Sequence, residues 1–234
     1  HCGGIDNAFP HHTNEIAQSE AYLGHPWCNY WMHVAHLDTA GGKMSKSKGG
    51  FTTVSTLEER GYDPLVYRLF CLQSHYRKAL VFSWENLDNA KAAYDKLVSR
   101  VAALTEAGAV DAQAAAQYEA AFREAVGNDL NTSLGVTALY DVLKADLNDA
   151  TKRALIASYD QVLGLELLER AAARKEQQAQ AASGEGAAEI EALIARRSEA
   201  KRAKDWGKAD AIRDQLKAMG VEIKDTPNGV EWKR

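Results

Sequence analysis

Gly41-Gly42-Lys43-Met44-Ser45-Lys46-Ser47-Lys48-Gly49-Gly50 sets lysines among small and hydroxylated residues between two glycine pairs. Glycine permits backbone conformations closed to other residues and leaves N–H groups open to a ligand. The short side chains let a polyanion come close. Lysine brings mobile point charges rather than a rigid fork, which suits charge that builds up and then leaves. The composition is that of a phosphate-handling loop; its ordinary rival is a solvated basic turn.

Upstream of this loop, residues 28–37, CNYWMHVAHL, are aromatic and β-prone and read as a buried strand delivering the chain to the lysines. Residues 1–10, HCGGIDNAFP, read as a strand end and glycine turn, with Pro10 placed where a helix opens. His12 to Leu23 has helical spacing and a natural stop at Gly24. Downstream the pattern turns helical from Val54, with a start at Thr56-Leu57-Glu58-Glu59 and another at Asp63-Pro64. Leu87, Ala90, Tyr94, Leu97, Val101 and Leu104 recur at three- and four-residue steps and mark one apolar helix face. Phe122, Val126, Leu130, Leu134, Leu139, Leu143 and Leu147 suggest a second pair, broken near Gly127-Asn128. Leu155, Tyr159, Val162 and Leu163 give a further helix of the same bundle. The run His75-Tyr76-Arg77-Lys78 reads as a helix end entering that bundle rather than a nucleic-acid contact.

The fold expected is therefore mainly α. Residues 1–22 read as a strand end, a glycine turn and a helix, an α/β pattern, 23–86 as a region carrying the lysine loop, and 87–170 as the helical bundle. Residues 171–188 are poor in bulky apolar groups and read as a linker. Residues 189–234 make a small unit of two helices, around 190–204 and 208–219, and a hairpin turning at Pro227-Asn228-Gly229.

Composition excludes little else. At 234 residues, 46% hydrophobic and 26% charged, the chain is an ordinary globular protein with no run near the roughly 18 apolar residues a membrane span needs. Cys2, Cys28 and Cys71 are odd in number and unevenly spaced, which argues for a reducing compartment rather than a disulfide framework. The net charge is −4, yet residues 189–234 hold 11 Lys+Arg against 9 Asp+Glu, so the C-terminal unit is mildly basic.

His11 and Glu15 lie four residues apart, which places them on one helix face. An imidazole and a carboxylate so placed can share Zn²⁺, although such sites use three or four protein ligands. Taken by itself, the spacing favours a plain His–Glu hydrogen bond on the helix surface. Cys2 or Cys28 offers a thiolate, but nothing in the spacing assigns either.

Lys43 to Ser47, K-M-S-K-S, resembles the nucleotide-binding signature of class I aminoacyl-tRNA synthetases. His1-Cys2-Gly3-Gly4-Ile5-Asp6, with Phe9-Pro10-His11-His12-Thr13-Asn14-Glu15-Ile16-Ala17-Gln18-Ser19, is similar to a motif of cysteinyl-tRNA synthetases. KDWGKADAIRDQLKAMGVEIKDTPNGVEW resembles the anticodon-reading domain of the bacterial members. The resemblance implies ligation of L-cysteine to its tRNA through a cysteinyl-adenylate, with ATP and Mg²⁺, in the cytoplasm, by a protein monomeric at full length. It implies ATP contacts from Lys46, supported by Lys43, and ribose contacts from Gly4 and Asp6. His11 and Glu15 would ligate an active-site zinc completed by two cysteines earlier in the enzyme. His1 and His12 would line the amino-acid pocket, while Trp206, Asp210 and Asp225 would read the anticodon, with backbone contacts from Lys201 and Arg202. Cys2 and Thr13 depart from the residues many relatives carry there, glycine and glutamate. The expectation is a C-terminal half that does not catalyse alone. Two other activities share parts of the pattern: a cysteine ligase acting on a sugar amine, and a non-catalytic tRNA-binding paralogue.

Overall fold

A computed structural model describes residues 1–39, 42–43, 53–105, 107–183, 187–202, 205–226 and 229–233. The chain divides into two compact units, His1–Ala171 and Ala172–Arg234. The fold is mainly α.

Unit one opens with β1 (Cys2–Gly4), a winding turn over residues 5–12, α1 (Thr13–Leu23) and β2 (Met32–Val34). β1 and β2 pair in parallel, with Gly3 opposite His33. A parallel pair needs a crossover connection, and α1 lies within it. The expected helix opening at Pro10 is corrected: α1 begins at Thr13. Phe9 is extended (φ −145°, ψ 134°), as the residue before a proline tends to be. The expected stop at Gly24 is met.

Residues 28–37 are not one buried strand. β2 is only half-buried and is followed by a separate β3 (Leu37–Thr39). β3 pairs antiparallel with β4 (Gly42–Lys43) and parallel with β5 (Leu80–Phe82). The central part of the lysine loop, Lys46 included, lies outside the described residues.

α2 (Val54–Glu59) starts at Val54, where the pattern turns helical, because Thr53 caps it: the Thr53 hydroxyl accepts from the Thr56 N–H while the Thr56 hydroxyl accepts from the Thr53 N–H. α3 (Pro64–Leu72) opens as expected, with the Asp63 carboxylate accepting from the Leu65 N–H.

α4 (Trp84–Ala102), α5 (Ala112–Gly127), α6 (Thr132–Lys144) and α7 (Asp149–Leu163) form the bundle. The face expected on α4 is buried from Leu87 to Val101. Phe122 and Tyr159 stack at 3.9 Å between ring centroids across α5 and α7, and the buried Tyr94 hydroxyl donates to the Leu165 carbonyl at 2.7 Å. Leu130, Leu134 and Val162, expected inside, are exposed. Asp129 and Leu130 both take positive φ, 55° and 54°, and this corner breaks the helical phase between α5 and α6.

Residues 75–78 lie beyond the end of α3 rather than in a helix. The Tyr76 hydroxyl donates to Asp129 at 2.6 Å, Arg77 Nε and Nη2 donate to the same carboxylate, and His75 Nε2 lies 3.7 Å away. Thr132 adds a hydroxyl bond to the Leu72 carbonyl at 3.0 Å. The segment before β5 is thereby fastened to the α5–α6 corner.

Residues 171–188, read as a linker, are mostly helical. α8 (Leu167–Ser183) runs through most of this stretch and α9 (Ala187–Arg202) begins before its end. Ala, Gln, Glu, Lys and Arg are poor core formers but strong helix formers. In unit two α9 and α10 (Trp206–Ala218) bury Ile190, Leu193, Ile212 and Leu216 together with Val221. β6 (Glu222–Thr226) and β7 (Gly229–Lys233) pair antiparallel as expected, with Thr226 opposite Gly229; Pro227 and Asn228 of the turn lie outside the described residues.

The Arg77 guanidinium, followed by the Tyr76 hydroxyl, holds the Asp129 carboxyl down at about 2, against the ordinary 3.8. A carboxyl depressed in the folded state stabilises above its unfolded value and loses that contribution as pH falls through the folded value. Asp129→Asn is therefore expected to lower the urea midpoint at pH 7, with the gap to the parent chain closing between pH 4 and pH 2.

Candidate active site and nucleic-acid face

β1 and the turn after it bring His1, Gly3, Gly4, Asp6, His11 and His12 to one end of α1, where the first helical turn presents Glu15. His1 Nε2 lies 2.7 Å from Glu15 Oε2, and His11 Nε2 lies 3.5 Å from Glu15 Oε1. The carboxylate thus faces a different imidazole with each oxygen. His12 is only 3% exposed, and its Nδ1 lies 2.8 Å from His33 Nε2 on β2. Trp31 packs against His1 and His12 at 4.9 and 5.1 Å, and Trp27 against His1 at 5.2 Å.

Position 3 must be small for this to close. A Cβ on Gly3 would stand 2.8 Å from His12 Cε1 and 2.9 Å from His12 Nε2. A Cβ on Gly4 would stand 2.5 Å from Asp6 Oδ1, so the Asp6 side chain folds back over that glycine. Thr13, one of the departures noted in the sequence, donates its hydroxyl to the Ala8 carbonyl at 3.0 Å and so braces the turn. Cys2, the other, is exposed on β1.

Among the described residues, the donors close enough to share a metal ion are His1, His12 and Glu15, with ligand atoms within 4.8 Å of one another. No cysteine joins that group; Cys28 donates to the Tyr30 carbonyl at 3.1 Å. His36 Nε2 lies 3.7 Å from Asp6 Oδ1, one residue before β3, the strand that pairs with the start of the lysine loop. Lys43 sits opposite Asp38 in that pairing. The structure thus gathers His1, His11, His12 and Glu15, and sets Gly4 and Asp6 beside His36. His33, His36 and Trp31 were missed in the sequence, where they merged into an aromatic strand, and Trp27, just before it, was not singled out.

In unit two, Ala209, Ile212 and Leu216 face the core from α10. Trp206, 61% exposed, lies four residues before the exposed Asp210, and the same helical row continues through the exposed Arg213 and Lys217. An aromatic ring, an acceptor and two cations thus share one solvent-facing stripe. Arg213 and Lys217 went unnoticed in the sequence, although their spacing from Trp206 was legible. Asp225 lies on β6, opposite Val230.

Residues 1–92 match the family model for the tRNA synthetases class I (C) catalytic domain, and residues 183–232 match that for the cysteinyl-tRNA ligase anticodon binding domain. The chain is 43% identical to a cysteine–tRNA ligase of Symbiobacterium thermophilum over 247 aligned residues, which take in 100% of this chain and 52% of that protein. It is 41% identical to cysteine–tRNA ligase 1 of Burkholderia lata (98% of this chain, 46% of that protein) and 40% identical to a cysteine–tRNA ligase of Pseudomonas aeruginosa (100% and 51%).

The chain belongs to the cysteinyl-tRNA ligase family. It spans about half the length of the curated relatives it matches. Within the family match, residues 1–92 contain the histidine–glutamate cluster and the lysine loop, and 183–232 contain the α10 stripe and β6.

Gly3→Ala is expected to push the His12 ring from its place and destabilise unit one by about 1–3 kcal/mol, the usual range for overpacking. Urea denaturation followed by tryptophan fluorescence measures it, since Trp31 packs against the displaced ring and Trp27 against Trp31.

Proposed function

We propose that this chain serves the ATP-dependent ligation of L-cysteine to its cognate tRNA. The observation that carries the reading is the coexistence, in one chain, of the His1–His11–Glu15 cluster upstream of a K-M-S-K-S loop and an aromatic–acidic–basic helix stripe in a separate unit. In the first step the cysteine carboxylate attacks the α-phosphorus of ATP and pyrophosphate leaves. In the second, a ribose hydroxyl of the tRNA attacks the acyl carbon and AMP leaves.

Lys46 and Lys43 neutralise charge on the departing phosphates, an electrostatic role worth roughly 3–4 kcal/mol per donor in comparable sites; Mg²⁺ accompanies the nucleotide. Asp6 accepts from the ribose hydroxyls, and Gly4 leaves room for the sugar. The position of Glu15 between two imidazoles fits a zinc donor set, and His11 and Glu15 would hold the ion. Bound there, it supplies a soft Lewis acid that separates a thiol from a hydroxyl or methyl group, where pocket shape alone discriminates weakly. His1 and His12 orient the amino acid's polar ends, while Trp27 and Trp31 shield them from water.

In the second unit Trp206 stacks on an unpaired base, Asp210 and Asp225 accept from base edges, and Arg213 and Lys217 meet phosphates. The match of residues 183–232 to an anticodon-binding model gives a sugar-amine ligase no support.

Two measurements on the 234-residue chain test this reading. Gel-shift titration against cysteine tRNA is expected to show tighter binding than to the same RNA with its anticodon altered, and Trp206→Ala to weaken cognate binding by the roughly 1–3 kcal/mol of one stacked base. Equal affinity for both RNAs removes the anticodon role. Separately, His11→Ala and Glu15→Ala are each expected to weaken zinc binding at least about tenfold by calorimetry. Unchanged zinc affinity would mean that these two side chains only pair with one another.

A further inference from the structure

We infer that His33 is a positioning residue: it fixes His12 as an Nε2–H donor, and His12 therefore serves an anionic oxygen of the bound amino acid rather than a metal ion. The contact of His12 Nδ1 with His33 Nε2 at 2.8 Å leaves room for one hydrogen between two neutral rings. Two arrangements exist. In the first, His33 Nε2–H donates to His12 Nδ1, and both rings carry their hydrogen on Nε2, the favoured tautomer of neutral imidazole in water. In the second, both rings must adopt the less favoured Nδ1–H form. Because the contact joins unlike nitrogens, the preference of both rings pulls the same way.

The surroundings give the proton no competing seat. His12 is 3% exposed, and its ring is boxed by His1 at 4.8 Å, Trp31 at 5.1 Å and His33 at 4.9 Å between centroids. β1–β2 register places His33 opposite Gly3, whose missing side chain leaves the space that the Nε2 edge of the His12 ring occupies. The Glu15 oxygens face His1 at 2.7 Å and His11 at 3.5 Å, and among the described residues none accepts a hydrogen bond from His12 Nε2, which leaves that N–H to a bound ligand. A metal-bound imidazole shows the reverse pattern: a bare nitrogen on the ion and an N–H donated outward. That pattern separates the roles within the His1–His12–Glu15 group, leaving His12 out of the ligand set. The identification of the anion as the amino acid's carboxylate rests on the proposed ligase reading; the tautomer does not.

The test is a two-bond ¹H–¹⁵N correlation spectrum of the chain labelled with ¹⁵N-histidine at pH 8, where imidazoles are neutral, with His12 assigned by the signals lost in His12→Gln. Protonated Nε2 and bare Nδ1 are expected at His12, unchanged by one equivalent of zinc. His33→Gln, whose amide donates from a similar position, should keep the pattern; His33→Leu should replace it with a mixture of both tautomers. A bare Nε2 at His12, a zinc-induced shift of that nitrogen, or an unmixed tautomer in His33→Leu would each overturn the proposal. The readout is independent of tRNA binding, so failure of the anticodon titration and failure of this assignment are distinguishable.

Discussion

The parallel register that sets Gly3 opposite His33 governs the whole N-terminal cluster. It places a residue without a side chain where the His12 ring must lie, and an imidazole within hydrogen-bond reach of that ring's other side. Shifting either strand by one residue would turn alternate side chains to the opposite face and bring Cys2 or Gly4 against His33. His1 precedes β1 and Glu15 follows the same turn, so their 2.7 Å contact depends on the same register. The apolar surface exposed around this unit, with Ile5 at 54%, Phe9 at 77% and Tyr30 at 85%, follows from having two short strands and one helix. Such a pair carries little core of its own, and polar contacts and ring packing hold its shape.

Support for the lysine loop comes from elsewhere. Thr53 caps α2 just beyond it, Leu57 is buried, Arg60 lies over the Trp84 ring at 4.0 Å, and the Tyr62 hydroxyl donates to Asp88 at 2.6 Å. These contacts tie α2 to the start of α4. On the other side of β5, His75, Tyr76 and Arg77 converge on Asp129. An isolated surface ion pair contributes little, but several donors on one carboxylate restrict its geometry, here at a corner where two non-glycine residues hold positive φ. The bundle therefore anchors the segments on either side of the loop.

Much of this was legible in the sequence where the determining physics is local. Asp63-Pro64, Gly24 and the period from Leu87 to Val101 are caps and amphipathic repeats, and the structure uses each as expected. Strands of three residues are set by partners far along the chain, so the division of 28–37 into β2 and β3 left no local mark. The helix through 171–183 was hidden by its lack of bulky apolar residues, which argues against a core but not against a helix. Leu130 and Leu134 misled because a left-handed corner resets the helical phase between them and Phe122. The spacing of His11 and Glu15 could be read directly, whereas the His12–His33 contact spans 21 residues and depends on sheet register.

The adjacent histidines 11 and 12 show how one dipeptide supplies two different groups. Both stand in the winding turn that leads into α1, where successive side chains diverge, so if one faces a neighbouring strand the other is carried away from it. His12 turns towards β2 and is buried; His11 turns towards the Glu15 carboxylate with its side chain 63% exposed. Burial surrounds His12 with fixed neighbours and so defines which nitrogen carries its hydrogen. Exposure leaves the His11 ring open to solvent beside the Glu15 carboxylate. A residue that must present an N–H in one direction gains from the first environment, and one that must complete a coordination sphere gains from the second. That asymmetry follows from the turn before α1 and the β1–β2 register, before any ligand is considered.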